Sequence, residues 1–125
     1  MDVTVLMLGR HLELGHYRVE FLKAHGIVVI FPENQEAAFA AVDAAKYDVV
    51  VLSYSLSNKT AKELTDRIEQ VCPQCPIISI SEQRWQDRDL RPDATVLATD
   101  PPQALLEAIN RVFSHRDSGG IRRVK

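Results

Sequence analysis

The chain has 125 residues, of which 46% are hydrophobic and 26% are charged, and its formal net charge is −2. This length suffices for one domain with a buried core but not for two, and the small net charge provides no overall field that favours nucleic acid or a membrane surface. No apolar run approaches the ~20 residues that span a bilayer, and residues 1–3 lead into a strand-like pattern without a signal peptide. With two cysteines, we expect a cytoplasmic protein with reduced thiols.

Five short apolar runs, rich in β-branched residues, predict strands that are buried on both faces of a parallel sheet. The predicted strands are residues 3–8, 27–31, 49–52, 77–80 and 95–99. Residues 49–52 form a continuous apolar run that is mostly β-branched, the pattern of a strand buried on both faces. It is therefore predicted to lie at the centre of the sheet.

Segments with helical periodicity alternate with these strands. The predicted helices are residues 12–25, 35–45, 60–71 and 101–113, and a short irregular helix is the most that residues 82–92 would form. Gly26 is expected to end the first helix as the C′ residue. Asn34 and Asp100 are expected to cap the N-termini of the second and last helices.

The alternation of strands and helices predicts one (βα)5 domain of the α/β class, with three layers and a five-stranded parallel sheet in the flavodoxin-like order 2-1-3-4-5. We expect this domain to span residues 1–113 and residues 114–125 to form a flexible, basic C-terminal tail. Such a short basic segment is more typical of a solvated chain end than of an arm that binds nucleic acid.

The third predicted strand ends at Ser53, in the region where open parallel sheets bind ligands. No G-x-S-x-G motif surrounds Ser53, so a hydrolase nucleophile is not supported. No glycine-rich motif for cradling phosphate occurs either. Ser53, Ser55 and Ser57 are instead expected to satisfy local backbone groups or to cap the next helix.

Several framework segments carry a resemblance to a known family. They are residues 21–29, residues 36–39, residues 47–52, residues 76–81 and Pro101 at the start of the last helix. Over residues 1–113, the chain resembles the receiver domains of bacterial response regulators, the CheY-like family. The resemblance implies the same (βα)5 fold and a role in two-component or phosphorelay signalling.

The family's phosphorylation chemistry is mostly missing at the matching positions. Ser53 corresponds to the phospho-acceptor aspartate, Gly9 and Arg10 fall where the acidic metal-binding pair is found, and Asp100 corresponds to the phosphate-contacting lysine. Mg²⁺ requires carboxylate oxygens, and phosphoryl transfer depends on positioning and charge neutralisation. We therefore predict no metal site, no cofactor, no aspartyl phosphorylation and no enzymatic activity.

Two charges are exchanged relative to the family, because Arg10 stands in place of an acid and Asp100 in place of a lysine. One hypothesis is that these residues form an ion pair where the family holds a metal and a phosphoryl group. The alternative is that Asp100 caps the last helix and Arg10 is solvated.

The remaining family features concern the contact surface. The hydroxyl switch after the fourth strand corresponds to Ser81, and the aromatic switch on the fifth strand corresponds to Leu97. Trp85 lies in the polar segment that precedes the fifth strand, where it is expected either to anchor a partner or to cover the edge of the sheet.

These observations predict a receiver-like signalling module that acts through contacts with a sensor kinase or a downstream regulator, without phosphorylation; a homodimer is a further expectation. The alternative is a domain that binds a small anion or a nucleotide beyond the strand ends. The predicted pocket consists of Gly9, Arg10, His11, Ser81 and Asp100, beside Ser53.

Cys72 and Cys75 have C-x-x-C spacing. They follow a predicted helix, where the helix dipole does not favour a thiolate, and zinc would need two further ligands. We therefore expect a partly buried pair in a loop, with a redox or metal role as the alternative.

Overall fold

Strands and helices alternate through residues 3–10, 13–82 and 92–117, the residues that the computed structural model describes. The strands are β1 (Thr4–Leu8), β2 (Val28–Ile30), β3 (Val49–Ser53), β4 (Ile77–Ser81) and β5 (Ala94–Leu97), and the helices are α1 (Glu13–Ala24), α2 (Gln35–Ala44), α3 (Asn58–Val71) and α4 (Pro102–Asp117). The short helix anticipated at residues 82–92 falls almost entirely outside the described residues.

The strands form one parallel sheet in the order β2-β1-β3-β4-β5. β3 occupies its centre, and Val49 to Leu52 are at most 1% exposed. A strand that is covered on both faces favours apolar side chains at successive positions, which is the pattern of residues 49–52. The predicted strand order and central strand are therefore confirmed.

Side chains alternate along β3 between two apolar clusters on opposite faces of the sheet. Val49 and Val51 belong to the first cluster, and Val50 and Leu52 belong to the second. The helices contribute Val19, Leu22, Leu105 and Ile109 to the first cluster, and Ala38, Val42, Leu64 and Ile68 to the second. Helices α1 and α4 thus cover one face and α2 and α3 the other, which gives the predicted three layers.

Local capping groups fix the ends of the helices. The Asn34 Oδ1 atom accepts the Ala37 N–H at 2.8 Å and begins α2, as predicted, and the Ser57 hydroxyl caps α3. After α1, Gly26 has φ +84°, and the Ile27 N–H donates to the Leu22 carbonyl at 3.1 Å. Gly26 is therefore the predicted C′ residue, in a conformation that costs a side-chain-bearing residue more.

Helix α4 continues to Asp117, beyond the predicted helix end at Phe113. Its apolar stripe ends near Val112, so the sequence pattern contains no signal for the last turn. Residues 118–125 lie outside the described residues. None of the helices within the described ranges combines the length and the apolar character that crossing a membrane requires.

Cys72 and Cys75 are joined by a disulfide, and both are at most 5% exposed. The expectation of reduced, partly buried thiols is therefore wrong for this structure. The turn after α3 brings their Cα atoms to 5.5 Å, within the range of about 4.4–6.8 Å that a disulfide spans. The pair lies between α3 and β4, at the end of the sheet opposite to the carboxyl ends of the strands.

Two aspartates complete the hydrogen bonding at the amino ends of the strands. The Thr4 N–H donates to Asp48 Oδ2 at 2.9 Å, while the Asp48 N–H donates to the Thr4 carbonyl at 2.7 Å. Asp93 makes the same two-way contact with Ile77, with both distances at 2.7 Å. In each case the carboxylate accepts an N–H at the point where a strand begins and the ladder is incomplete.

Replacing Asp48 tests this arrangement. We expect Asp48→Ala to lower the free energy of unfolding by about 1–3 kcal/mol, because the partly buried Thr4 N–H loses its acceptor. Asp48→Asn should retain most of the stability, since its amide oxygen can accept the same bond. Urea unfolding measures both changes.

The matched control is Asp66→Ala. Asp66 forms an exposed pair with Lys62 on α3 at 3.4 Å, and such pairs contribute little. If Asp48→Ala were no more destabilising than Asp66→Ala, the proposed role of the aspartate would be wrong.

Tyr47 gives the domain a defined response to alkaline pH. Its hydroxyl donates to the Val42 carbonyl at 2.9 Å, and burial, with a smaller contribution from Asp43, raises the pKa of Tyr47 to about 12. The unfolded chain ionises at about 10. The stabilisation of the folded state by neutral Tyr47 is therefore fully present below about pH 10 and is lost as the pH rises toward 12.

We expect the free energy of unfolding to fall above about pH 10 in the wild type and to fall less steeply in Tyr47→Phe. Tyr17, which is 55% exposed, provides the matched control variant Tyr17→Phe, which should keep the wild-type slope. An identical alkaline decline in Tyr47→Phe and the wild type would contradict the assignment.

Candidate functional site

The predicted site residues lie where the parallel strands end, a region named here the carboxyl edge and defined by Gly9, Arg10, Ser53, Ser81 and Asp100. The strand register pairs Leu8 with Leu52, so Gly9 and Ser53 follow at neighbouring positions. It also pairs Ser53 with Ile80, which places the end of β4 beside the end of β3. The structure thus brings these residues to one edge of the sheet, as the topology predicts.

Gly9 lies against Ser53. A Cβ atom at residue 9 would be 2.6 Å from the Ser53 Cβ and 3.2 Å from the Ser53 hydroxyl oxygen. Carbon atoms of side chains do not approach this closely without a shift of the backbone. Residue 9 therefore has no space for an acidic side chain in the observed conformation.

A small hydroxyl network fills the space beyond β1 and β3. The Arg10 backbone N–H donates to the Ser55 hydroxyl oxygen at 2.9 Å, and the hydroxyl oxygens of Ser55 and Ser53 are 3.0 Å apart. The Ser55 N–H donates to the Ser53 hydroxyl oxygen at 3.2 Å. Ser53 and Ser55 therefore satisfy the local backbone, which is the structural role predicted for them.

Ser81 is fully buried at the end of β4, and its hydroxyl oxygen lies 3.3 Å from that of Ser79. Ile80 belongs to the first apolar cluster, so strand alternation directs Ser81 toward the opposite face. Ser53 follows Val51 by two residues and shares the face of the first cluster. The two serines thus end neighbouring strands but are directed to different faces.

Asp100 belongs to a tight turn after β5. Its Oδ2 accepts the Leu97 N–H at 3.0 Å, and its own N–H donates to the Leu97 carbonyl at 3.0 Å. Helix α4 begins only at Pro102, so the predicted role of Asp100 as the N-cap is wrong. The Asp100 carboxylate instead accepts the Leu97 N–H in the turn that precedes the helix, and Pro101 and Pro102 have no N–H to donate to it.

The hypothesis that Arg10 pairs with Asp100 is also wrong. Arg10 is exposed, and none of the ion pairs between described residues joins the two side chains. The alternative, a solvated Arg10, agrees with its exposure. Arg10 contributes its backbone N–H to the hydroxyl network and leaves its cation at the surface.

A cavity of about 250 Å³ opens beside the carboxyl edge, between the N-termini of α2 and α3. Gly9 and Arg10 line one side of it, and Asn34, Ser57 and Thr60 line the helix ends. The cavity lies beside the end of β1, where the direction of the strand order reverses. Flavodoxin-like folds bind ligands at this switch point. The cavity therefore includes two of the predicted pocket residues but neither Ser81 nor Asp100.

Two predicted residues, His11 and Trp85, lie outside the described residues, so their roles stay predictions. Leu97, the other residue of the predicted contact surface, ends β5 and is half-buried. Across the described ranges, histidine, cysteine and acidic side chains form no group of three that could hold a metal ion.

Arg18 is a residue of the site region that the sequence did not single out. It lies on α1, is 6% exposed, and its Nη2 donates to the Ala98 carbonyl after β5 at 3.1 Å. Burial lowers the pKa of Arg18, and Tyr54 opposes this with a smaller effect. The helical spacing of Val19 and Leu22 extends to residue 18 on the same stripe, and this was the available signal.

Comparison with known proteins provides evidence on the fold. No protein-family model matches the chain, and no curated protein does. Solved structures do match. A CheY-like receiver domain protein from Methanospirillum hungatei is 14% identical, with a TM-score of 0.82 over 96% of this chain and 100% of that one.

Two bacterial structures give the same result. The chemotaxis response regulator CheY4 of Vibrio cholerae is 17% identical, with a TM-score of 0.76 over 90% of this chain and 99% of that one. A response regulator from Thermotoga maritima is 20% identical, with a TM-score of 0.74 over 91% of this chain and 99% of that one. The chain therefore has the fold of the CheY-like response-regulator receiver domains, as the sequence resemblance predicts.

Proposed function

We propose that this chain is a receiver-like signalling module that acts through protein contacts and does not transfer phosphoryl groups. The fold similarity supports the signalling role, and the chemistry of the carboxyl edge supports independence from phosphorylation. In this proposal the chain is not an enzyme, works in the cytoplasm, and depends on a partner for its output.

The hydroxyl network between Ser53, Ser55 and the Arg10 backbone is the observation that carries the proposal. Ser53 stands at the acceptor position, but its oxygen already accepts the Ser55 N–H, and its hydrogen-bonded neighbour is another hydroxyl rather than a base. A serine hydroxyl without an activating base is a poor nucleophile.

The residues that follow β1 also oppose a divalent cation. Gly9 supplies no ligand and has no room for one, and the Arg10 side chain is positive. Mg²⁺ takes oxygen ligands, usually carboxylates together with phosphate. Without that metal, the charge that develops during phosphoryl transfer is not neutralised.

The proposed contact surface includes Leu97, which ends β5, and Trp85 is a further predicted contact residue. In this proposal a sensor kinase or a downstream regulator binds there, and a second copy of the chain is a further candidate partner. The turn that follows Leu97 is held by two hydrogen bonds to Asp100, which favour the conformation that the structure shows.

Incubation with acetyl phosphate and Mg²⁺ tests the proposal. We expect the intact mass of the protein to gain no phosphoryl group, because the metal ligands and the acceptor carboxylate are both replaced. Ser53→Asp restores the acceptor alone and should also remain unmodified, since Gly9 and Arg10 still provide no metal ligand.

Ser53→Ala is the control for modification at the serine itself. Incorporation of phosphate into the wild type that disappears in Ser53→Ala would overturn the proposal. Incorporation of phosphate that persists in Ser53→Ala would show that another residue is modified and that Ser53 is not the phosphoryl acceptor.

The cavity between α2 and α3 supports a second candidate function, the binding of a small anion or a nucleotide. The N-termini of both helices border the cavity, and Arg10 adds a positive charge while Glu33 adds a negative one. A nucleotide bound there would raise the melting temperature as its concentration increases, and a larger side chain at Thr60 would abolish the effect. A contact module without a ligand would show no such response.

A further inference from the structure

Arg18 is deeply buried, yet its guanidinium lies near the carboxyl ends of the strands. The residue is 6% exposed, and its neighbour Val19 belongs to the first apolar cluster together with Leu22. Its guanidinium reaches the Ala98 carbonyl, which follows the end of β5. The stem of the side chain therefore lies in the core, and its charged head lies at the carboxyl edge.

The charge of Arg18 has no ionised partner among the residues that the structure describes. The ion pairs there involve lysines of α1 and α3 and the pair between Arg67 and Asp43, and none includes Arg18. Its one hydrogen bond in the described ranges is to a neutral carbonyl. A guanidinium has five N–H donors, so most of its donors make no hydrogen bond to a described residue.

An isolated buried cation is costly to a folded protein. Removing a charge from water is repaid only when an opposite charge and further hydrogen bonds replace the lost hydration. The direction of the pKa shift of Arg18 agrees, since burial lowers it and no carboxylate raises it. An apolar side chain of the same length would fill this position without that cost.

We propose that Arg18 is the binding group for a small oxyanion at the carboxyl edge, on the face of the sheet covered by α1 and α4. The planar guanidinium presents paired N–H groups that match two oxygens of a phosphate, sulfate or carboxylate group. The Ala98 carbonyl holds one N–H and so orients the remaining donors. Tyr54, which follows β3, is half-buried and packs against the first apolar cluster, to which Val19 beside Arg18 belongs.

This site is separate from the cavity beside α2 and α3, because that cavity is not lined by Arg18, Tyr54 or Ala98. It is also independent of the proposed signalling role. An oxyanion can bind to Arg18 whether or not a protein partner binds the surface around Leu97.

The test measures thermal unfolding of the full chain while phosphate, sulfate or acetate is added to about 50 mM against sodium chloride of equal ionic strength. We expect at least one oxyanion to raise the melting temperature, with an increase that follows the logarithm of the anion concentration above its Kd. At one hundred times its Kd, the ratio of folded to unfolded molecules should rise about 100-fold. Comparison of the tetrahedral anions with acetate identifies the preferred oxyanion class.

Two variants make the result specific. Arg18→Met should abolish the response and should be at least as stable as the wild type without anion, because the uncompensated charge is gone. Arg111→Met is the matched control, since Arg111 is exposed on α4, and it should respond as the wild type does. A purely structural Arg18 would give the opposite result, with lower stability and an unchanged anion response.

A residue-resolved readout avoids dependence on the variants. In NMR titrations, the side-chain Nε–H resonance of Arg18 should shift saturably, with the Kd that the rise in melting temperature also indicates. The proposal is overturned if none of the three anions acts beyond ionic strength, if Arg18→Met responds as the wild type does, or if the response is lost in Arg10→Met and kept in Arg18→Met.

Discussion

The close approach of Gly9 to Ser53 determines the chemistry of this domain. With 2.6 Å between the Ser53 Cβ and a Cβ built at residue 9, the ends of β1 and β3 admit no side chain between them. The space beyond them is occupied by the hydroxyls of Ser53 and Ser55, which bind each other and the Arg10 backbone. Under the proposed function, hydroxyls that complete the local hydrogen bonding stand in place of the carboxylates that would bind a metal ion.

The fold could be predicted from the sequence because its signals are local and agree with one another. The apolar run at residues 49–52 identifies the central strand, and the N-cap Asn34 and the C′ residue Gly26 mark helix ends where the structure has them. Because β3 is buried on both faces, helices must cover both sides of the sheet, and this limits the topology to a few arrangements.

The side-chain contacts of the site could not be predicted in the same way, because they depend on where backbone groups lack partners. Asp100 precedes two prolines and reads as an N-cap, but the N–H that needs its carboxylate belongs to Leu97. An arginine in the middle of a helix is usually exposed to solvent, but Arg18 lies beside the apolar stripe of Val19 and Leu22 and is buried with it. The disulfide between Cys72 and Cys75 depends on the geometry of a turn, which spacing alone does not reveal.

The most direct test of the account is a Mg²⁺ titration followed through the backbone amide resonances, with sodium chloride of equal ionic strength as the reference. No saturable shift is expected at Gly9, Ser53 or Ser55, because the ends of β1 and β3 provide hydroxyls and a guanidinium where the ion requires carboxylates. Saturable shifts that centre on these residues would show that the edge binds the metal, and the account of a receiver fold without its phosphorylation chemistry would be wrong.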